Sequence, residues 1–125
     1  MKASIIRPDP ANEYGTEERC SILELSNSDN DEELSIARAR VGVGVTTAWH
    51  RCVDTAERYV ILEGQGRIEV EGLQPADVVV GDVVVIPPSA EQRITNTSNV
   101  DLVFLALCTP RFRPQSYQHT EESRL

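Results

Sequence analysis

The chain has 125 residues, with 20 acidic against 12 basic side chains and a hydrophobic share of 40%, enough for one buried core and too little for two. The formal net charge of -8 opposes a phosphate backbone and no local basic patch offsets it, which argues against nucleic-acid binding. No apolar run approaches the roughly 18 residues of a membrane-spanning helix, so no membrane partner is expected.

Residues 1–35 mix short apolar pieces, Ile5-Ile6 and Cys20 to Leu25, with acidic, loop-like stretches at 13–18 and 27–33. They read as one or two peripheral strands joined by solvated loops. Charge and proline stand between Met1 and Pro10 where a signal peptide needs an apolar stretch, so a cytoplasmic location is expected. From Ser35 the pattern changes. Ile36, Arg38 and Arg40 alternate with Ala37, Ala39 and Val41, the period of two of a half-buried strand. Residues 58–62 form a β-rich run, Glu63-Gly64-Gln65-Gly66 a turn, and residues 67–70 a second alternating run; together they read as a hairpin. Further strands at 78–80, 83–86, 94–97 and 102–108 are punctuated by Gly81-Asp82, Pro87-Pro88 and Ser98-Asn99. Arg111 and Arg113, interleaved with Pro110, Phe112 and Pro114, read as an ordered edge, and His119 as an exposed member of a polar tail. No amphipathic helix of useful length interrupts the series. Many short strands with turn signals between them predict an all-β, antiparallel sandwich or barrel. The expected layout is one domain, with a barrel over residues 36–109, peripheral strands and loops over 1–35 and a tail over 110–125.

Two blocks within the barrel carry the polar residues of interest. The first runs Gly44-(five residues)-His50-Arg51-Cys52-(four)-Glu57-(six)-Gly64, and the second Gly81-(five)-Pro87-Pro88-Ser89-Ala90-Glu91-Gln92-(three)-Asn96. Their spacing resembles the two motifs of the cupin superfamily, in particular its small single-domain members, over roughly residues 36–108. The resemblance implies the jelly-roll barrel, or double-stranded β-helix, among the all-β architectures. It also implies a metal site, since metal-containing cupins use two or three histidines and a glutamate to hold iron, manganese, zinc or nickel. Carried over position by position, the ligands are His50, Cys52, Glu57 and Gln92. Cys52 stands where the family has its second histidine and Gln92 where it has its third, while Ser89 replaces the turn glycine.

Period-two geometry puts His50 and Cys52 on one face of their strand and Arg51 on the other. Glu57, Tyr59 and Ile61 share a face on the next strand, and Gln92, Ile94 and Asn96 on a later one. With the turns that the resemblance assigns, these faces line the barrel interior. A lone carboxylate there is costly or shifts its pKa until it is neutral. A divalent cation would compensate Glu57; alternatively the metal site has decayed, and His50, Glu57 and Gln92 satisfy one another by hydrogen bonds inside a binding cavity. A thiolate at Cys52 is a soft ligand for zinc or iron, whereas a protonated, buried cysteine is a small apolar residue. Trp49 and Tyr59 are candidates for the wall of a substrate pocket.

Three cysteines, Cys20, Cys52 and Cys108, are odd in number and lack a C-x2-C pair, which predicts reduced thiols rather than a disulfide framework. Cys20 and Cys108 read as buried small apolar residues. The chain has no nucleophile elbow, phosphate-cradling loop or dinucleotide fingerprint. The expected function is therefore a metal-dependent cupin acting on a small organic molecule, as an oxygenase or isomerase, with Glu57 as ligand or general base. The alternative is a non-catalytic, small-molecule-binding barrel with a degenerate metal site. A homodimer is expected, because small cupins pair through sheet edges that would otherwise stay exposed.

Overall fold

The computed structural model describes residues 1–124. Its strands in chain order are β1 (Tyr14–Gly15), β2 (Ser21–Ser26), β3 (Ser35–Val41), β4 (His50–Cys52), β5 (Ala56–Glu63), β6 (Gln65–Val70), β7 (Ala76–Val79), β8 (Val83–Ile86), β9 (Gln92–Asn96), β10 (Leu102–Thr109) and β11 (Tyr117–His119). Among the described residues the only helical segments are single 3-10 turns at Pro10–Asn12, Pro114–Ser116 and Glu122–Arg124. Among the described residues no helix is long and apolar enough to cross a membrane.

The strands form two antiparallel sheets, one in the order β1-β2-β3-β10-β5-β8 and the other β11-β4-β9-β6-β7. Valine, isoleucine and aromatic residues at alternate positions give each sheet one apolar inner face. On β5, Glu57, Tyr59 and Ile61 are buried while Arg58 and Val60 between them are less so; on β9, Gln92, Ile94 and Asn96 are buried in the same rhythm. The main core joins Val41, Ile61, Ile68, Val70, Val84, Ile86, Ile94, Leu102 and Phe104 between the two sheets. Asn96 fixes the loop at this end: Nδ2 donates to the carbonyls of Val41 and Val100 at 2.9 and 2.8 Å, and Oδ1 accepts from the amide and hydroxyl of Ser98 at 2.9 and 2.7 Å.

The expected hairpin across residues 58–70 does not form. β5 pairs with β10 and β8, whereas β6 lies in the other sheet between β9 and β7. Gly64 is the reason: at φ +73° it turns the chain from one sheet to the other, and a Cβ there would lie 2.7 Å from the Asp101 carbonyl oxygen. A turn signal marks a change of direction, not the plane in which the chain continues.

The chain ends also depart from the expected layout. Ile5 and Ile6 are exposed and outside any strand. The rest of the leading segment is less peripheral than its composition implies, because β2 pairs along β3 inside the six-stranded sheet. Likewise the polar tail contributes β11, which pairs with β4 through Tyr117↔Cys52, Gln118↔Arg51 and His119↔His50. His119 is half-buried, and its Nδ1 lies 2.7 Å from Glu122 Oε2. Arg111 and Arg113 both pair with Glu32, which makes the edge ordered.

Candidate functional site: an acidic cavity in the barrel

A cavity of about 320 Å³ opens between the sheets, beside the apolar core. β4 supplies His50 and Cys52, β5 supplies Glu57 and Tyr59, and β10 supplies Phe104, Ala106 and Cys108 to its wall. The second motif places β9 opposite: His50 and Gln92 are Cα partners across the sheet. Ser89 takes over the role of the absent turn glycine by adopting φ +70°, held by its amide to the Cys52 carbonyl at 2.7 Å and its hydroxyl to the Val53 carbonyl at 3.1 Å.

Glu57 is the centre of a buried polar chain. Gln92 Nε2 donates to Glu57 Oε1 at 2.6 Å, and Gln92 Oε1 accepts from the Tyr59 hydroxyl at 2.5 Å. The Cys52 thiol donates to Glu57 Oε1 at 3.4 Å, and the Cys108 thiol lies 3.8 Å from Oε2. Burial pushes the Glu57 carboxyl above its ordinary range, opposed by the neighbouring His50 and by the hydrogen bonds from Cys52 and Gln92. Burial, reinforced by Glu57, pushes the Cys108 thiol up to about 12 and the Cys52 thiol higher still. Both therefore remain thiols near neutrality.

His50 is fixed from a different direction. Its Nδ1 donates to the Ala48 carbonyl at 2.9 Å and also lies 3.2 Å from Glu18 Oε2. Nδ1 has one hydrogen and the carbonyl takes it, which leaves Glu18 Oε2 buried without a hydrogen-bond partner. The Tyr117 ring stacks on the imidazole at 5.4 Å between centroids, and its hydroxyl is also buried without a partner. Glu18 is held at the wall by its backbone: the Ala48 amide donates to the Glu18 carbonyl at 3.0 Å.

His50, Cys52, Glu57 and Tyr59 meet at this cavity, as their spacing implies. Two other expected site residues are placed differently. Gln92 is 1% exposed and lies behind the wall, its amide bridging Tyr59 and Glu57. Trp49 lies outside the cavity with the Arg93 guanidinium 4.7 Å over its ring. It neighbours His50 in an extended segment, so the alternation that aims His50 inward aims Trp49 away. Glu18, Cys108 and Tyr117 carry no motif signal. Only Cys108 had a clue in the sequence, since Phe104, Ala106 and Cys108 share one face of a strand. Among the described residues no three His, Cys, Asp or Glu side chains are arranged to hold a metal ion.

A two-sheet antiparallel barrel with both motifs turned inward defines a cupin, and the chain belongs to that family: the cupin domain model matches residues 37–108. Across 97% of the chain and 95% of the relative it is 34% identical to Uncharacterized protein MJ1618 of Methanocaldococcus jannaschii. Its fold is similar to that of Pac13, a nucleoside dehydratase of Streptomyces, with a TM-score of 0.76 at 13% identity over 94% of this chain and 92% of that one. A predicted oxalate decarboxylase from Thermotoga maritima gives a TM-score of 0.69 at 24% identity, over 84% of this chain and 93% of that one. At these identities the two solved structures speak to the fold alone.

Proposed function

We propose that this cupin binds a small organic molecule in the barrel and that its chemistry there is proton transfer rather than metal-centred catalysis. The observation that carries this reading is the polar chain Tyr59–Gln92–Glu57–Cys52. Cupins often hold a divalent metal, but the donor set here fits one poorly. An open metal site keeps about three strong protein ligands. At the four motif positions the amide is engaged at both ends, the thiol donates to Glu57, and only one imidazole and one carboxylate remain.

What those two can do is acid–base work. Burial raises the Glu57 carboxyl above its ordinary range, the direction that makes it a better proton acceptor and a weaker acid than an exposed glutamate. Its Oε1 is fixed by Gln92 and Cys52, so Oε2 is the oxygen with the weaker protein contact and the one placed to exchange a proton with a ligand. In the neutral ring His50 holds its hydrogen on Nδ1 against Ala48, which leaves the Nε2 lone pair as an acceptor.

That same contact favours a second reading, a metal centre, because a ligating imidazole commonly donates its other N–H to a backbone carbonyl. Elemental analysis of protein purified without chelators separates the two. We expect well under one equivalent of iron, manganese, zinc or nickel, and Gln92→His should bind added zinc at least about tenfold more tightly than the parent. One equivalent of tightly held metal in the parent would overturn the metal-free reading.

A further inference from the structure

We infer that the ligand of this cavity carries a protonated primary amine on an apolar body, with the ammonium seated against Glu18, His50 and Tyr117; this deepens the small-molecule-binding reading above and rests on it. Unmatched hydrogen-bonding capacity points there. Several donors at the cavity are engaged within the protein: the Cys20 thiol with Glu18 Oε1 at 3.1 Å, the Cys52 thiol with Glu57 at 3.4 Å, the Thr16 hydroxyl with the Cys20 carbonyl at 2.9 Å, and His50 Nδ1 with Ala48. Two oxygens able to accept remain, a carboxylate oxygen and a phenol hydroxyl. Glu18 Oε2 and the Tyr117 hydroxyl are buried without a partner. The His50 side chain is 8% exposed, and with Nδ1 engaged by Ala48 its Nε2 is the ring nitrogen that can accept. Buried polar atoms left unpaired destabilise the fold, so a ligand that brings donors relieves them. An ammonium brings three N–H donors and a charge.

Electrostatics select the same ligand. Glu17, Glu18, Glu24 and Glu57 line the cavity, and no lysine or arginine does. Several arginines adjacent in sequence to the wall are paired elsewhere, among them Arg19 with Glu121 and both Arg111 and Arg113 with Glu32. Burial and these carboxylates together push the acids of Cys20, Tyr59 and Tyr117 upward, consistent with one negative potential across the space. A carboxylate or phosphate ligand would enter against that potential. The remaining wall is apolar and aromatic, with Ile22, Ile94, Phe104 and Phe112 suited to a hydrocarbon body and ring faces that favour a nearby cation.

Isothermal titration calorimetry with three probes of matched shape tests the inference: phenethylamine, phenethyl alcohol and hydrocinnamate. We expect phenethylamine to bind at least about tenfold more tightly than the alcohol, as a charge-assisted hydrogen bond warrants, and hydrocinnamate to give no binding heat. Glu18→Gln should abolish the preference for the amine while retaining binding of the alcohol. Tyr117→Phe, which removes one unpaired hydroxyl and keeps the stacked ring, should weaken amine binding severalfold and serves as the readout should Glu18→Gln fail to fold. Equal or tighter binding of the alcohol or of hydrocinnamate would overturn the amine inference and leave the small-molecule reading standing. Silence from all three probes would overturn both. An amine preference that survives Glu18→Gln and Tyr117→Phe unchanged would overturn the proposed seat.

Discussion

The two ends of β5 and β10 share one backbone arrangement and carry opposite chemistry. Ile61 and Phe104 are Cα partners in the packed core, and two residues apart on the β5 face sit Tyr59 and then Glu57, the last paired with Cys108 at the cavity. Alternation aims all of these side chains inward, so orientation does not distinguish core from site. The difference lies in what each side chain must satisfy once it is inside. Ile61 needs only close neighbours, whereas Glu57 needs donors, and Gln92, Cys52 and Cys108 surround it for that reason.

Breaking the packed end should have the largest effect. Ile61→Ala removes a side chain that is 1% exposed and should lower the free energy of unfolding by about 2–5 kcal/mol in urea titration. A loss no greater than that of a surface substitution would show that the core relaxes around the cavity. At the site end, Tyr59→Phe keeps the ring against Phe104, 4.4 Å between centroids, and removes only the hydroxyl that bonds Gln92 Oε1. Leaving that oxygen without a donor should cost about 1–3 kcal/mol in the same measurement. An unchanged stability would mean that Gln92 is not held by this bond.

A third comparison uses pH. Burial holds the Glu57 carboxyl above its ordinary 4.5, so the folded protein keeps this proton over a range in which the unfolded chain releases it. Within that range the folded state binds more protons, and the sign follows: stability attributable to Glu57 is greatest below 4.5 and falls as pH rises to the raised value. Glu57→Gln should flatten this slope in unfolding measurements at a series of pH values. If parent and variant lose stability in parallel, the slope belongs to other groups. The smallest effect belongs outside the barrel. Asp77 pairs with Arg67 at 3.4 Å with its side chain 80% exposed, and Asp77→Ala should change stability by at most about 0.5 kcal/mol.

Legibility in the sequence follows the same divide. Strands and inward faces were readable because alternation is a local property of neighbouring residues, and His50, Cys52 and Glu57 were readable because the motif spacing fixes them relative to one another. The direction taken after Gly64 was not, since the Asp101 carbonyl that crowds its Cα belongs to a strand connection far along the chain. Glu18 and Tyr117 were hidden for the same reason. Each reaches the cavity only through pairing between distant segments, β2 with β3 and β11 with β4. The spacing could place a polar residue at position 92, but not show that both ends of its amide would be taken by Tyr59 and Glu57.

The pairing of β11 with β4 also sets an order of events. Chains are made from the amino terminus, and the main core draws on residues between Cys20 and Phe104. Tyr117 and the Arg19–Glu121 pair, whose members are 102 positions apart, join only after that stretch has been made. The strand that closes over His50 thus lies outside the main core, and its docking is a step that the core itself does not require.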